Sequence, residues 1–299
     1  MVEFPISGVE TYWWLPALVA FCISSVTSTA GVTGAFILLP FSVSVLKYTT
    51  PGASPTNLLF NVVAIPPGVW RYHREGRMLW SLAWATALGT LPGLVVGAFI
   101  RLKYLPDPRS FKLFVGLVLL HLGIKLAQDI LRRRKPALAN AANASRRITR
   151  QRLTASKFTY DYEGETYTVS TWSIVMVALV VGMIGGIYGI GGGAILSPYF
   201  VAMYHLPVHS IAGAMLLGTF MTSVLGVIIY IVISPFLTPD GMVVMPDWYL
   251  GLSFGLGGAF GTYLGARLQR HLPPRLVKTI LVLVIVFIAV RYIGGFFWR

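Results

Sequence analysis

The sequence predicts an all-α integral membrane protein of two inverted repeats, each a broken, re-entrant helical hairpin followed by three transmembrane helices. Three observations predict it. Mean hydropathy is +0.72, and of 299 residues 56% are apolar and only 11% charged, against about 25% charged in a soluble domain. A glycine- and proline-bearing stretch, Gly31-Val32-Thr33-Gly34-Ala35-Phe36-Ile37-Leu38-Leu39-Pro40-Phe41, returns 158 residues later as Gly189-Ile190-Gly191-Gly192-Gly193-Ala194-Ile195-Leu196-Ser197-Pro198-Tyr199, identical at five of eleven positions. Nine of the 24 Lys and Arg residues crowd between 132 and 157, with no acid among them.

Apolar runs follow in order at 12–46, 56–70, 79–102, 111–131, 172–204, 211–233, 248–268 and 276–297. Most approach or exceed the ~20 residues that cross ~30 Å of hydrocarbon; 56–70 is short and holds Pro66-Pro67. Runs 12–46 and 172–204 are too long for one helix, and glycine with Pro40 and Pro198 interrupts them. Their second pieces would rise only ~20 Å as helices, so each run is predicted to be a hairpin with both ends on one side.

The repeat continues beyond these runs. Leu58 matches Leu216, Gly68 matches Gly226 and Val69 matches Val227 at the same offset; at an offset of 168, Trp80 matches Trp248, Gly89 Gly257, Gly93 Gly261 and Gly97 Gly265. The ten extra residues fall in the polar Ser234–Asp247 connection. The division is a first repeat at 1–132, a basic linker at 133–170 and a second repeat at 171–299. The two GxxxGxxxG faces predict close helix packing.

Loop charge sets orientation. The linker and the Arg71–Arg77 connection are basic and predicted cytoplasmic, whereas Ser234–Asp247 carries only Asp240 and Asp247. That difference requires inverted halves with an odd number of crossings each, although the basic Arg101–Lys112 connection then lies outside. Within the linker, 137–153 is predicted to be a short basic helix on anionic lipid headgroups, and 157–169 a peripheral β-hairpin around Glu163-Gly164. Cys22 is predicted to be a buried small hydrophobe. Nucleic acid is not a predicted partner.

None of the ten acids lies mid-segment, which argues against a cation pathway and points to a neutral or anionic solute. Helix N-termini exposed at the breaks offer anion donors, with Gly31, Gly34, Gly189, Gly191, Gly192 and Gly193 letting the backbone turn. Thr27, Ser28, Thr29 and Thr33 add hydroxyls. Asn57 and Asn61 share one helix face and align with Met215 and Thr219, near Thr222 and Ser223. For these polar residues, interhelical hydrogen bonding stays open beside substrate contact. His121 is a candidate proton carrier or a hydrogen-bonded core histidine. The sequence has no P-loop, zinc spacing or nucleophile elbow, so no metal, cofactor or enzymatic activity is predicted.

The 189–198 motif, followed by Ala212-Gly213-Ala214-Met215-Leu216-Leu217-Gly218-Thr219, resembles the sulfite exporter TauE/SafE family of membrane permeases, which includes 4-toluene sulfonate uptake permease-like proteins. The degenerate first copy, the Arg71–Arg77 turn and the glycine-spaced third helix of each half are similar too. The resemblance implies a multi-pass protein of the cytoplasmic membrane that transports sulfur-containing anions such as sulfite or organosulfonates, usually outward. Thr33 and Ala35 stand where the second copy has Gly191 and Gly193, so the halves are expected to contribute unequally. A passive anion channel and a membrane scaffold docking a partner through the linker are the alternative readings.

Overall fold

The structure is a computed structural model that describes residues 1–30, 32–131, 148–237, 244–268 and 274–297. A short antiparallel pair, β1 (Val2–Phe4) and β2 (Val9–Thr11), leads into α1 (Leu15–Thr27), one 3-10 turn at Ser28–Ala30, and α2 (Ala35–Ser44). Next come α3 (Ala53–Ala64), α4 (Pro66–Arg74), α5 (Trp80–Lys103) and α6 (Pro108–Leu131). An antiparallel sheet in the order β3 (Ile148–Leu153), β4 (Lys157–Tyr162), β5 (Glu165–Ser170) precedes the rest. The chain then forms α7 (Thr171–Tyr188), α8 (Gly192–Met203), α9 (Val208–Leu237), α10 (Trp248–Leu268) and α11 (Pro274–Phe297).

Local chemistry sets the boundaries. Asp107 caps α6 by accepting the Ser110 N–H at 2.8 Å, with Pro108 in the first helical position where a missing N–H costs nothing. That bond holds the Asp107 carboxyl below the usual carboxylate range. Buried Asp247 caps α10 through the Leu250 N–H, 3.0 Å, while its other oxygen accepts the Ser7 N–H and hydroxyl at 2.9 and 2.6 Å. The Asp247 N–H reaches Thr56 Oγ1 at 2.8 Å, so the N-terminal strands and the starts of α3 and α10 lie together. Pro66 divides α3 from α4 because its nitrogen has no hydrogen for the preceding turn.

At the other end, the Ile148 N–H donates to Gly76 O at 3.2 Å and Gln151 to Met78 O at 2.8 Å. Tyr160 shares a 2.8 Å hydrogen bond with Ser210, and Ser173, in the first turn of α7, bonds Tyr204 just past α8. The sheet, the α4–α5 turn, the start of α7 and the start of α9 therefore gather at one end. Exposed tryptophans mark both ends: Trp13, Trp14 and Trp248 at the Asp247 end, Trp70, Trp80 and Trp172 at the sheet end. Such belts sit at membrane–water interfaces. Four helices among the described residues, Trp80–Lys103, Pro108–Gln128, Thr171–Tyr188 and Val208–Leu237, are long and apolar enough to cross a membrane; the chain is an integral membrane protein.

Contacts recur at the sequence offsets. Lys47 and His205, 158 apart, both have φ 57° in matching turns, where Tyr48 N–H reaches Ser42 O and Leu206 N–H reaches Phe200 O. Tyr72 donates to Ser28 O at 3.4 Å and Tyr230 to Gly186 O at 2.7 Å, again 158 apart. Gly257, Gly261 and Gly265 of α10 lie against the carbonyls of Ala17, Phe21 and Ser25 in α1; Gly89, Gly93 and Gly97 of α5 lie against those of Val175, Leu179 and Met183 in α7. The first helix of each half thus beds into the glycine face of the other half. That reciprocal exchange locks the halves together through backbone approach rather than side-chain interdigitation.

Four expectations are corrected. Residues 148–153 form strand β3, not part of a surface helix, because the ladder to β4 satisfies their backbone; 137–147 lie outside the described residues. The sheet is not peripheral: Phe158, Tyr160 and Tyr162 of β4 are buried. The hairpin turn at Glu163-Gly164 is present, both residues having positive φ. Cys22 is exposed on the outer surface of α1. Pro40 and Pro198 lie inside α2 and α8 and break neither; the interruptions fall before those helices. Pro40 has no N–H for Phe36 O, and the Tyr188 hydroxyl supplies that donor instead at 2.9 Å.

Candidate functional site

The two interruptions meet in the interior. In the second, α7 ends on Gly189 (φ 79°) and Gly191 adopts φ 75°, ψ 158° before α8, conformations that glycine alone enters without strain. In the first, the 3-10 turn follows α1 and Val32 N–H returns to Thr27 O at 3.3 Å; Ile190 N–H returns to Gly185 O at 3.2 Å in the same way. Gly31 lies outside the described residues.

Asn57 joins the two breaks. Its amide nitrogen donates to Ala35 O at 3.1 Å, at the start of α2, and to Gly189 O at 2.8 Å. One helical turn later, Asn61 donates to Ile190 O at 3.0 Å and to Ser223 Oγ at 3.1 Å. The i, i+4 spacing that places both amides on one face of α3 is what lets them seal consecutive carbonyls of the second break. Ser54, one turn before, donates to Ile187 O at 3.4 Å.

The second break is closely packed. A Cβ on Gly189, Gly191, Gly192 or Gly193 would come within 3.0 Å of Ser54, Thr219, Thr90 and Met215 respectively. Gly192 N–H, opening α8, bonds Thr222 Oγ1 at 3.3 Å, and the Thr219 and Thr222 hydroxyls turn back onto Met215 O and Gly218 O at 2.9 Å each. Gly192 meets Thr222 halfway along the 30 residues of α9, so the break sits at mid-depth.

The first break is different. Ser28 and Thr29 spend their hydroxyls on Ser24 O and Val26 O, 2.6 Å each, and Gly34 packs against Ser24. Yet among the described residues Ser24 Oγ, Thr27 Oγ1 and Thr33 Oγ1 are buried without a hydrogen-bond partner, as are Asn57 Oδ1 and Asn61 Oδ1. A buried polar group left unmade costs about 1–3 kcal/mol. Five such groups around one pair of breaks offer partners to a ligand or ordered water. Three of them are hydroxyls able to donate.

His121 is exposed on α6 and is not brought to the breaks. Two groups at the site were not read from the sequence. Tyr72 and Tyr230 pin Ser28 O and Gly186 O; their shared offset of 158 was the signal. Arg101, read as a loop charge, is 1% exposed within α5. Its guanidinium lies 3.7 Å from the Phe111 ring centroid and donates to Ser54 Oγ at 3.3 Å and to Leu105 O. A buried cation thus touches the serine that backs the second break. The ion pairs Arg71–Glu75 and Arg77–Glu75 lie in the α4–α5 turn, away from the breaks.

The family model described as "Sulfite exporter TauE/SafE" matches residues 16–292. A curated relative, "Probable membrane transporter protein YunE" from Bacillus subtilis (strain 168), is 23% identical over 206 residues, covering 69% of this chain and 67% of that protein. No solved structure matches the chain.

Proposed function

This chain belongs to the sulfite exporter TauE/SafE family, and from that premise we propose that it is a secondary transporter exporting a small sulfur-containing oxyanion, such as sulfite or an organosulfonate. The anion binds where the two breaks meet, with Ser24, Thr27 and Thr33 as donors. Asn57 and Asn61 fix the breaks, and the glycines at 189 and 191–193 permit their approach. The observation that carries this reading is the cluster of unpartnered buried hydroxyls beside the first break. Uncharged donors fit an anion that must also be released, because no fixed countercharge holds it.

We read the halves as inverted and moving by alternating access. The α1–α2 segment leaves the Asp247 end and returns to it, since Ser7 and Thr56 both bond Asp247. The α7–α8 segment leaves the sheet end and returns, since Ser173 bonds Tyr204. From each return, an odd number of crossings follows: α3 with α4, α5 and α6, then α9, α10 and α11. The repeat boundaries at 132 and 171 follow from the same division. Exposed Arg150, Arg152 and Lys157 support a cytoplasmic, anionic-lipid-facing sheet end in the cytoplasmic membrane.

The test is uptake of radiolabelled sulfite into proteoliposomes. Thr27→Val with Thr33→Val removes two hydrogen bonds to a charged ligand, each worth about 1.5–3 kcal/mol. The expected result is a KM for sulfite raised by at least ~10-fold, with Tm unchanged or higher. An unaltered KM, or single-channel steps in a planar bilayer, contradicts the reading.

A further inference from the structure

A cavity of about 630 Å³ opens between α2 and α11, with α1 and the start of α6 completing its wall. Arg109, Lys112 and Arg291 stand on it, and Tyr292 bonds both Ser44, at 2.8 Å, and Pro40 O, at 3.0 Å. Arg109 is held by Phe296, stacking at 4.9 Å from the ring centroid and donating to its carbonyl at 2.8 Å. The ion pairs Arg71–Glu75 and Arg77–Glu75 involve none of these three cations, and Arg109 also feels the Asp107 carboxylate at the start of α6. At its inner end the cavity reaches Ile37, three residues past Gly34. Across Phe36 and Ile37 lies a much smaller cavity, about 30 Å³, lined by Val32, Ser197, Pro198, Leu126 and Ile285. The two cavities follow the same α11 seam and are separated by one helical turn.

We propose that the larger cavity is an oxyanion vestibule leading from the Asp247 end toward the first break, and that Phe36 and Ile37 form the barrier between it and the small cavity at Val32. This rests on the reading of the chain as an anion transporter. Three cations converge on one wall and raise the local anion concentration, while the apolar depth strengthens their field. The unequal volumes on either side of the barrier describe a state open toward the Asp247 end and closed toward the sheet end. A soluble anion and a lipid phosphate offer the same chemistry to these cations; the position of Ile37 in the cavity favours the soluble one, because a headgroup tethered to its acyl chains stays near the mouth.

The test uses the full chain with Cys22→Ser and Ile37→Cys, reconstituted in phosphatidylcholine vesicles. A membrane-impermeant maleimide is expected to label Ile37→Cys from the Asp247 side several-fold faster than from the sheet side. Sulfoacetate is expected to slow that labelling, and the triple variant Arg109→Gln, Lys112→Gln, Arg291→Gln to abolish the protection while keeping the labelling. The double variant Arg109→Lys, Arg291→Lys, which with native Lys112 keeps all three charges, should retain it, which excludes misfolding. Equal labelling from both sides, no labelling, or protection that persists in the Gln variant overturns the proposal. So does protection produced by phosphatidylglycerol alone, which assigns the site to lipid. Labelling and protection without sulfite flux would leave the vestibule standing and remove the transport reading; flux without them removes the vestibule alone.

Discussion

Replacing Gly93 or Gly261 with alanine is expected to prevent recovery of folded protein, although each change adds one methyl group. At Gly93 that methyl would overlap Leu179 O and lie within 3.1 Å of Met183 N and Gly182 C; at Gly261 it would overlap Phe21 O and approach Ser24 Cβ to 2.9 Å. The obstructing atoms are helix backbone, which has no rotamer to change, so α5 must move off α7, or α10 off α1. Overpacking costs about 1–3 kcal/mol even where side chains can yield, and here a whole interface shifts. Gly294→Ala is the control: a Cβ there meets nothing within 4 Å, and alanine in a helix is favoured over glycine by roughly 0.5–1 kcal/mol. Size-exclusion profiles and Tm in detergent separate the two outcomes. Equal behaviour of the three variants would show that the reciprocal glycine faces do not hold the halves together.

Asn57→Leu is expected to abolish transport with a smaller loss of stability. Leucine keeps the volume but leaves Gly189 O buried without its donor, a cost of about 1–3 kcal/mol, and removes the tie to Ala35 O. Both breaks are then free to separate, so flux falls by more than tenfold while the protein still purifies as a single species. Asn57→Asp is expected to be worse, since a carboxylate placed against two carbonyls repels them and the anion alike. Wild-type flux in Asn57→Leu would mean that the bridge is incidental to function.

The breaks were legible because helix-disrupting glycine repeated at a fixed offset inside apolar runs, and the Asn57–Asn61 face because two amides in lipid must meet protein. The glycine faces were legible from spacing alone, and the structure adds their partners. The prolines misled: Pro40 looked like part of the break, but a proline beyond the first turn needs only a substitute donor, and Tyr188 provides one. Arg101 misled because its charge fits the basic connection to Lys112, whereas α5 runs on to Lys103 and turns the guanidinium inward against Phe111. Strand β3 was unreadable because its arginines fit a helix equally well, and the bond that seats it, Ile148 N–H to Gly76 O, is long-range. Thr27 and Thr33 were legible as hydroxyls beside the break, but which hydroxyls stay unpartnered was not, since serine and threonine in apolar helices commonly bond the carbonyl one turn back, as Ser28 does and Thr27 does not.

The most direct measurement is anomalous diffraction from crystals of the protein soaked in selenite, a heavier counterpart of sulfite. The expected result is one peak between the two breaks, within hydrogen-bonding distance of the Thr27 and Thr33 hydroxyls, lost in the Thr27→Val, Thr33→Val variant. A peak confined to Arg109, Lys112 and Arg291, or none at concentrations that saturate flux, contradicts a binding site built from uncharged donors at the junction.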